Sequence, residues 1–365
     1  MKYYVIAGEA SGDLHGSNLI KALKSINPQH QFRVWGGDLM EKAGGDLVKH
    51  YKDLAFMGFV EVLKNLPTIL RNIRFCKQDI VAYQPDVLVL IDYPGFNLRI
   101  AKWAKKQGIK VVYYISPQIW AWHSSRVHGI KASVDQMLVI LPFERDFYAQ
   151  YGYPADFVGH PLLDAIADLP LDEAFRQREG LSDKPIIALL PGSRRQEIER
   201  MLDVMLAVVP HFPDFQFVVA GAPAIPSDFY RDFIQSYPQV KLVQGLTYSL
   251  LQQAQIAAVT SGTATLETAL FEVPQVVCYR GSAFSFWIAK RLVNVRYISL
   301  VNLIMDRPIV QELIQHDLNA ESLTKALNAL LVQENAQRIQ ADYKELKQRL
   351  GDSGASIRAA VLLNG

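Results

Sequence analysis

A chain of 365 residues exceeds what one hydrophobic core usually supports, so two domains are expected. Half of the residues are hydrophobic, which suits a folded protein, and the net charge is only +2, so no overall charge excess points to nucleic acid, none is expected as a partner, and any basic surface must be local. The two cysteines, Cys76 and Cys278, lie far apart without metal-ligand spacing, so neither a disulfide framework nor a zinc site is indicated and a reducing, cytoplasmic setting is expected. The start, Met1 to Gly8, leads into small and polar residues, not into a cleavable apolar segment.

Short β-branched runs alternate with helical patterns through the first half: Tyr3 to Ala7, Phe32 to Trp35, Val87 to Ile91, Val111 to Ile115 and Gln136 to Ile140. That alternation predicts a parallel sheet with crossover helices, and the runs from Val87 and Val111, apolar throughout, read as central strands. The pattern weakens between Asp156 and Lys184, which separates a domain of residues 1–165 from one of residues 166–340. In the second, Ile186 to Leu190, Phe215 to Ala220, Val240 to Val243, Ile256 to Thr260, Gln275 to Cys278 and Tyr297 to Leu300 repeat the layout. Residues 341–365 read as a helical tail that can pack back on the first domain. The fold class is therefore α/β, with two Rossmann-like, doubly wound domains facing across a cleft. Ligands in such sheets bind beyond the carboxyl ends of the strands.

Four loops at strand ends hold the candidate chemistry. After the first strand, Gly8 to Gly16 is glycine-rich and opens a helix, so its backbone can approach a ligand; Glu9 beside it disfavours phosphate and points to sugar hydroxyls. The bland alternative is a tight turn in which Asp13 caps the helix. The strand Val87 to Ile91 ends in Asp92, placed where a general base would reach a hydroxyl, or else a turn residue ahead of Pro94 and Gly95. In the second domain Gly192, Ser193 and Arg194 form a positive turn at a helix start, suited to a diphosphate or simply solvated. Ser261, Gly262 and Thr263 form another such turn, and Glu267 can take ribose hydroxyls or complete a cap with Thr263 or Thr265.

The segment 54–77 differs in kind. Phe56, Phe59, Leu63, Leu66 and Leu70 crowd beside Arg71 and Arg74, as at a membrane interface, although an amphipathic helix pair packed on the sheet has the same pattern. Pro67 predicts a helix break near Asn65. Trp120 and Trp122 follow the Val111 strand, as a sugar-stacking wall or as core.

Together Gly8-Glu9-Ala10-Ser11-Gly12-Asp13, Ser116-Pro117-Gln118-Ile119-Trp120-Ala121-Trp122, Leu190-Pro191-Gly192-Ser193-Arg194 and Ser261-Gly262-Thr263-Ala264 resemble the motifs of the lipid-A-disaccharide synthase family, in order over nearly the whole chain. The resemblance implies the GT-B fold of glycosyltransferase family 19 and transfer of 2,3-diacylglucosamine from its UDP derivative to 2,3-diacylglucosamine 1-phosphate, releasing UDP. It implies inversion at the anomeric carbon with no metal and no cofactor. It places Glu9, Ser11 and Asp92 on the acceptor side, and Arg194, Ser261, Gly262, Thr263, Glu267 and Asn302 on the donor nucleotide side. It further implies peripheral attachment to the inner face of the cytoplasmic membrane, and it allows a homodimer with exchanged carboxyl-terminal segments. The rivals are a peptidoglycan lipid-linked N-acetylglucosaminyltransferase, a UDP-sugar epimerase and a non-catalytic UDP-sugar binding protein.

Overall fold

The computed structural model describes residues 1–53, 66–122, 124–167, 169–281 and 296–365. The chain forms two compact units: one of Met1–Ala167 together with Leu350–Gly365, the other of Asp168–Arg349.

The first unit is built on a parallel sheet of β1 (Lys2–Ala7), β2 (Gln31–Gly36), β3 (Asp46–His50), β4 (Val87–Ile91), β5 (Lys110–Tyr114), β6 (Gln136–Val139) and β7 (Asp156–Phe157), in the order β3-β2-β1-β4-β5-β6-β7. Every residue of β4 is buried, as its unbroken apolar run requires of a strand covered on both faces. Alternate side chains feed two cores: Tyr4, Ile6, Leu88, Leu90 and Tyr113 on one face, Tyr3, Val5, Val87, Val89 and Tyr114 on the other. Strand order reverses between β1 and β4, where Ala7 pairs with Ile91, so Gly8 and Asp92 leave the sheet side by side at the switch point.

The second unit repeats the plan with β8 (Ile186–Leu190), β9 (Gln216–Gly221), β10 (Lys241–Gln244), β11 (Ala254–Thr260), β12 (Gln275–Tyr279) and β13 (Gln311–Ile314), ordered β10-β9-β8-β11-β12-β13. Its switch point lies between β8 and β11, so the turns after Leu190 and Thr260 are neighbours. The strand expected at Tyr297 to Leu300 is absent. Ser299 instead caps the helix Leu300–Met305, accepting from Asn302 N, and the outer strand is β13.

The boundary expected at 340/341 falls inside the continuous helix Gln333–Leu350. The returning segment is shorter, and its helix Ala355–Asn364 packs on the helix Ala10–Ile26 and sends Ala359, Ala360 and Leu363 into the first unit's core. Asp164 fixes its amino end by accepting from the backbone N–H of Gly354, Ala355 and Ser356 at 2.5, 3.2 and 3.1 Å. Arg358 adds a bond from Nε to the Val158 carbonyl at 2.7 Å.

Candidate active site

In the first unit the turn after β1 has no room for a side chain at its first residue. A Cβ on Gly8 would sit 2.3 Å from the Tyr93 ring. Glu9 takes an extended conformation ahead of the helix Ala10–Ile26, and Ser11 in its first turn is exposed. Asp13 does not cap its own helix: its buried carboxylate accepts from Gly37 N, Leu39 N and Met40 N, holding the start of the helix Asp38–Lys42.

Asp92 and Tyr93 both sit in the left-handed region, at φ 43° and 47°. The strain is held in place by two bonds to the Asp92 carbonyl, from Asn97 Nδ2 at 2.8 Å and from the Tyr113 hydroxyl. Both act on the main chain, so neither occupies the carboxyl. Burial is the main force raising its pKa to about 6; the Glu9 charge adds to this, and a bond from the Tyr93 backbone opposes it. Strained backbone at a strand end, beside a position where only glycine fits, is a familiar mark of a working site.

The neighbouring loop after β5 begins at Ile115, a β-branched residue at φ 65°. Ser116 Oγ lies 2.6 Å from the Tyr148 hydroxyl, and Trp120 Nε1 donates to Glu144 Oε1 at 3.1 Å. Glu144 is a residue that sequence reasoning passed over. It is 1% exposed, and burial lifts its pKa to about 7 against the bonds it accepts. The only available signal was its place at the third position of the helix Pro142–Gln150, which reads as an ordinary cap.

In the second unit Gly192 adopts φ 120°, and a Cβ there would strike Glu197 at 2.7 Å. The N–H groups of Ser193 and Arg194 both donate to Glu197 Oε2, at 3.1 and 3.3 Å, while Arg194 Nη1 meets Glu197 Oε1 at 3.2 Å. The turn therefore does gather donors around anionic oxygen, and here the oxygen belongs to the chain's own carboxylate. Arg195 lies over the Phe229 ring at 4.7 Å.

The second turn brings Ser261, Gly262 and Thr263 to the start of the helix Thr263–Leu270, with Gly262 and Thr263 exposed. Ser261 Oγ donates to the Ile298 carbonyl at 2.9 Å. Glu267 makes no cap with Thr263 or Thr265; Thr265 Oγ1 donates to the Gly262 carbonyl, and Glu267 accepts from the Tyr248 hydroxyl at 2.9 Å. Glu267 lines a cavity of about 610 Å³ with Asp172, Pro223, Gly245, Leu246 and Tyr248, beyond the carboxyl ends of β9 and β10. Burial raises its pKa, and the Tyr248 bond partly offsets that.

Asn302 is not among these groups. It is buried, with Nδ2 donating to the Val310 carbonyl and Glu312 Oε1 and Oδ1 accepting from Ile309 N and Val310 N, all at 2.9–3.0 Å. Its amide is spent on holding β13, with both its nitrogen and its oxygen engaged within the chain.

Of the apolar, basic segment, Phe56, Phe59 and Leu63 lie outside the described residues, and so does the side chain of Leu66. The helix Leu66–Tyr83 buries Ile73, Cys76 and Ile80 against the sheet, and Asp79 ties it down through Arg33 at 2.8 Å and the Tyr4 hydroxyl at 2.6 Å. Its other face leaves Leu70 54% and Phe75 44% exposed, beside exposed Arg71 and Arg74. Among the described residues no helix is long and apolar enough to cross a membrane.

Two doubly wound units, each with small-residue turns at its switch point, a half-buried carboxyl at one and donor-rich turns at the other, define a glycosyltransferase of the two-lobed, GT-B class. Residues 3–363 match the profile of the lipid-A-disaccharide synthetase family. The chain belongs to that family. It is 42% identical to the lipid-A-disaccharide synthase of Syntrophus aciditrophicus, over 98% of this chain and 96% of the relative. It is 38% identical to that of Myxococcus xanthus, over 98% and 95%. Among solved structures it resembles the UDP-GlcNAc 2-epimerase of Neisseria meningitidis bound to UDP-GlcNAc, with a TM-score of 0.69 at 13% identity over 100% of both chains. The corresponding enzyme of Methanocaldococcus jannaschii gives 0.67 at 14% over 100% and 99%. At such identities these two likenesses speak for the fold alone.

Proposed function

We propose that the chain transfers 2,3-diacylglucosamine from UDP-2,3-diacylglucosamine to 2,3-diacylglucosamine 1-phosphate, giving the lipid A disaccharide precursor and UDP. The observation that carries the catalytic part of this reading is Asp92: a strained, half-buried carboxyl at a switch point, with its pKa raised to about 6, still ionised near neutrality and a better base than an exposed aspartate. Its carboxylate takes the proton of the acceptor hydroxyl as that oxygen bonds to the donor's anomeric carbon. The bond from that carbon to the diphosphate breaks on the opposite face, its electron pair leaves with UDP, and the configuration inverts.

On the donor side the cavity beside Glu267 suits a nucleoside, with the carboxylate facing ribose hydroxyls and the Gly245-Leu246 backbone lining the pocket. Gly192, Ser193 and Arg194, with Ser261, Gly262 and Thr263, stabilise the leaving diphosphate through backbone donors and one guanidinium. For the first of these turns to act, Glu197 must yield the N–H groups it holds. Glu9 and Ser11 orient the acceptor.

The substrates are diacylated, and the exposed face of Leu70 and Phe75 beside Arg71 and Arg74 supports docking of the chain on the cytoplasmic face of the inner membrane. Incubating the purified chain with both substrates and analysing products by mass tests the reading. A tetraacyl disaccharide monophosphate is expected; free UDP with hydrolysed donor and no disaccharide would overturn it.

A further inference from the structure

Glu144 has two carboxylate oxygens with separate tasks. Oε2 accepts from Leu141 N at 3.0 Å and Ile140 N at 3.3 Å, closing the start of the helix Pro142–Gln150. Oε1 reaches into another loop to accept from the Trp120 indole at 3.1 Å. One turn along the same helix face, Tyr148 meets Ser116 at 2.6 Å, so this helix grips the loop after β5 at two points. Trp120 is further pinned edge-on by Phe143, with ring centroids 4.8 Å apart.

That loop leaves the sheet next to Asp92, because Ile91 pairs with Tyr114 across β4 and β5. The Asp92 charge is felt at Glu144. A cap alone does not call for a buried carboxylate, since glutamine satisfies the same backbone groups in such boxes without the desolvation cost of a charge. What glutamine cannot do is accept on both ends. Its amide nitrogen would face either the indole N–H or the backbone N–H groups, donor against donor.

We propose that Glu144 is a positioning residue for the acceptor: by holding Trp120 on its second oxygen it fixes the 116–122 loop as one wall of the acceptor site beside Asp92. The inference rests on the reading of Asp92 as the base on the acceptor side. Losing a hydrogen bond to a charged group in a desolvated setting is worth on the order of tenfold in binding or rate.

The test is a cycle of Glu144→Gln, Trp120→Phe and the double variant in the full chain, with kinetics for acceptor and donor taken separately and Asp92→Asn run alongside. In Glu144→Gln, kcat/KM for the acceptor should fall about tenfold while the donor KM stays within about twofold. The double variant should be no worse than Glu144→Gln, because removing the indole N–H removes the clash of donors. Unchanged acceptor kinetics in Glu144→Gln, strictly additive losses, or a loss shared equally between donor and acceptor overturns the positioning role. Should Glu144→Gln not fold, Trp120→Phe keeps the cap intact and must show the acceptor loss alone; normal acceptor kinetics there overturns the role. Turnover retained by Asp92→Asn would defeat the underlying reading instead, a result distinct from an inactive Asp92→Asn beside a normal Glu144→Gln.

Discussion

Replacing Asp92 with asparagine should stop transfer and at the same time make the protein more stable above neutral pH. The folded chain raises this carboxyl from 3.8 to about 6, chiefly by burial, with the Glu9 charge adding to it. That rise is equivalent to a cost of about 3 kcal/mol for keeping the group ionised in the fold. The amide retains a desolvation cost of its own, so a net gain of about 1–2 kcal/mol is expected. Asparagine also tolerates the left-handed φ of 43°, and the bonds from Asn97 and Tyr113 go to the main-chain carbonyl, so neither is lost. The pH dependence has a definite sign. Because the folded pKa lies above the unfolded one, the penalty is complete above about pH 6, shrinks as pH falls and is gone below 3.8. The variant should therefore melt roughly 3–6 °C above the parent at pH 8 and roughly as far below it near pH 3.5, where the carboxyl is neutral and only the extra cost of the amide remains. Turnover should drop by about two to four orders of magnitude, and parental kcat/KM should climb with pH through about 6. Thermal melts at the two pH values and a pH–rate profile decide the matter. An equal shift in melting temperature at both would show that the stability gain does not come from the carboxyl's ionisation, and the buried-base argument would fail with it.

Asn302→Ala should cost about 2–4 kcal/mol in a denaturant titration, because Ile309 N and Val310 N lose their buried acceptor; a selective rise in donor KM with unchanged stability would restore it to the ligand contacts. Asp164→Ala should free three backbone N–H groups and loosen the last helix by about 1–2 kcal/mol, seen as faster hydrogen exchange confined to residues 355–364 and their neighbours. Leu70→Ser with Phe75→Ser should lower co-sedimentation with anionic vesicles at a stability change of about 1 kcal/mol, since Leu70 is mostly exposed while Phe75 also packs against the Trp35 ring; full retention on vesicles would move membrane docking elsewhere.

The strands at each sheet's centre were readable because they are covered on both faces. β4 and β8 are buried at every residue and show unbroken apolar runs. β3 is exposed or half-buried along its length and β7 has two residues, so neither carries a period to detect. At Tyr297 to Leu300 a short apolar run matched a strand, yet Ser299 turned it into a capped helix; such runs do not discriminate by periodicity. The turns at both switch points were legible because glycine and small residues after a buried strand have few other uses. Hydrogen-bond partners were not. Asp13 caps a helix more than twenty residues further on, Glu197 occupies the N–H groups of its own turn, and Glu144 looks like any third-position cap until Trp120 is seen across from it. The Asp13 and Glu144 pairings depend on which loops the sheet order brings together, and strand order is written nowhere in local pattern; the Glu197 pairing is local, a third-position glutamate reaching back over its own turn.

The first unit closes only with Leu350–Gly365, whose Ala359, Ala360 and Leu363 complete one of its two cores. During synthesis the amino-terminal half is thus the first to emerge and the last to be finished, since the helix that covers it arrives after the whole second unit has been made. A protein cut anywhere in residues 168–349 yields an amino-terminal fragment that lacks part of its own core, and a tag fused at Gly365 is attached to the amino-terminal unit, not to the one that precedes it in sequence.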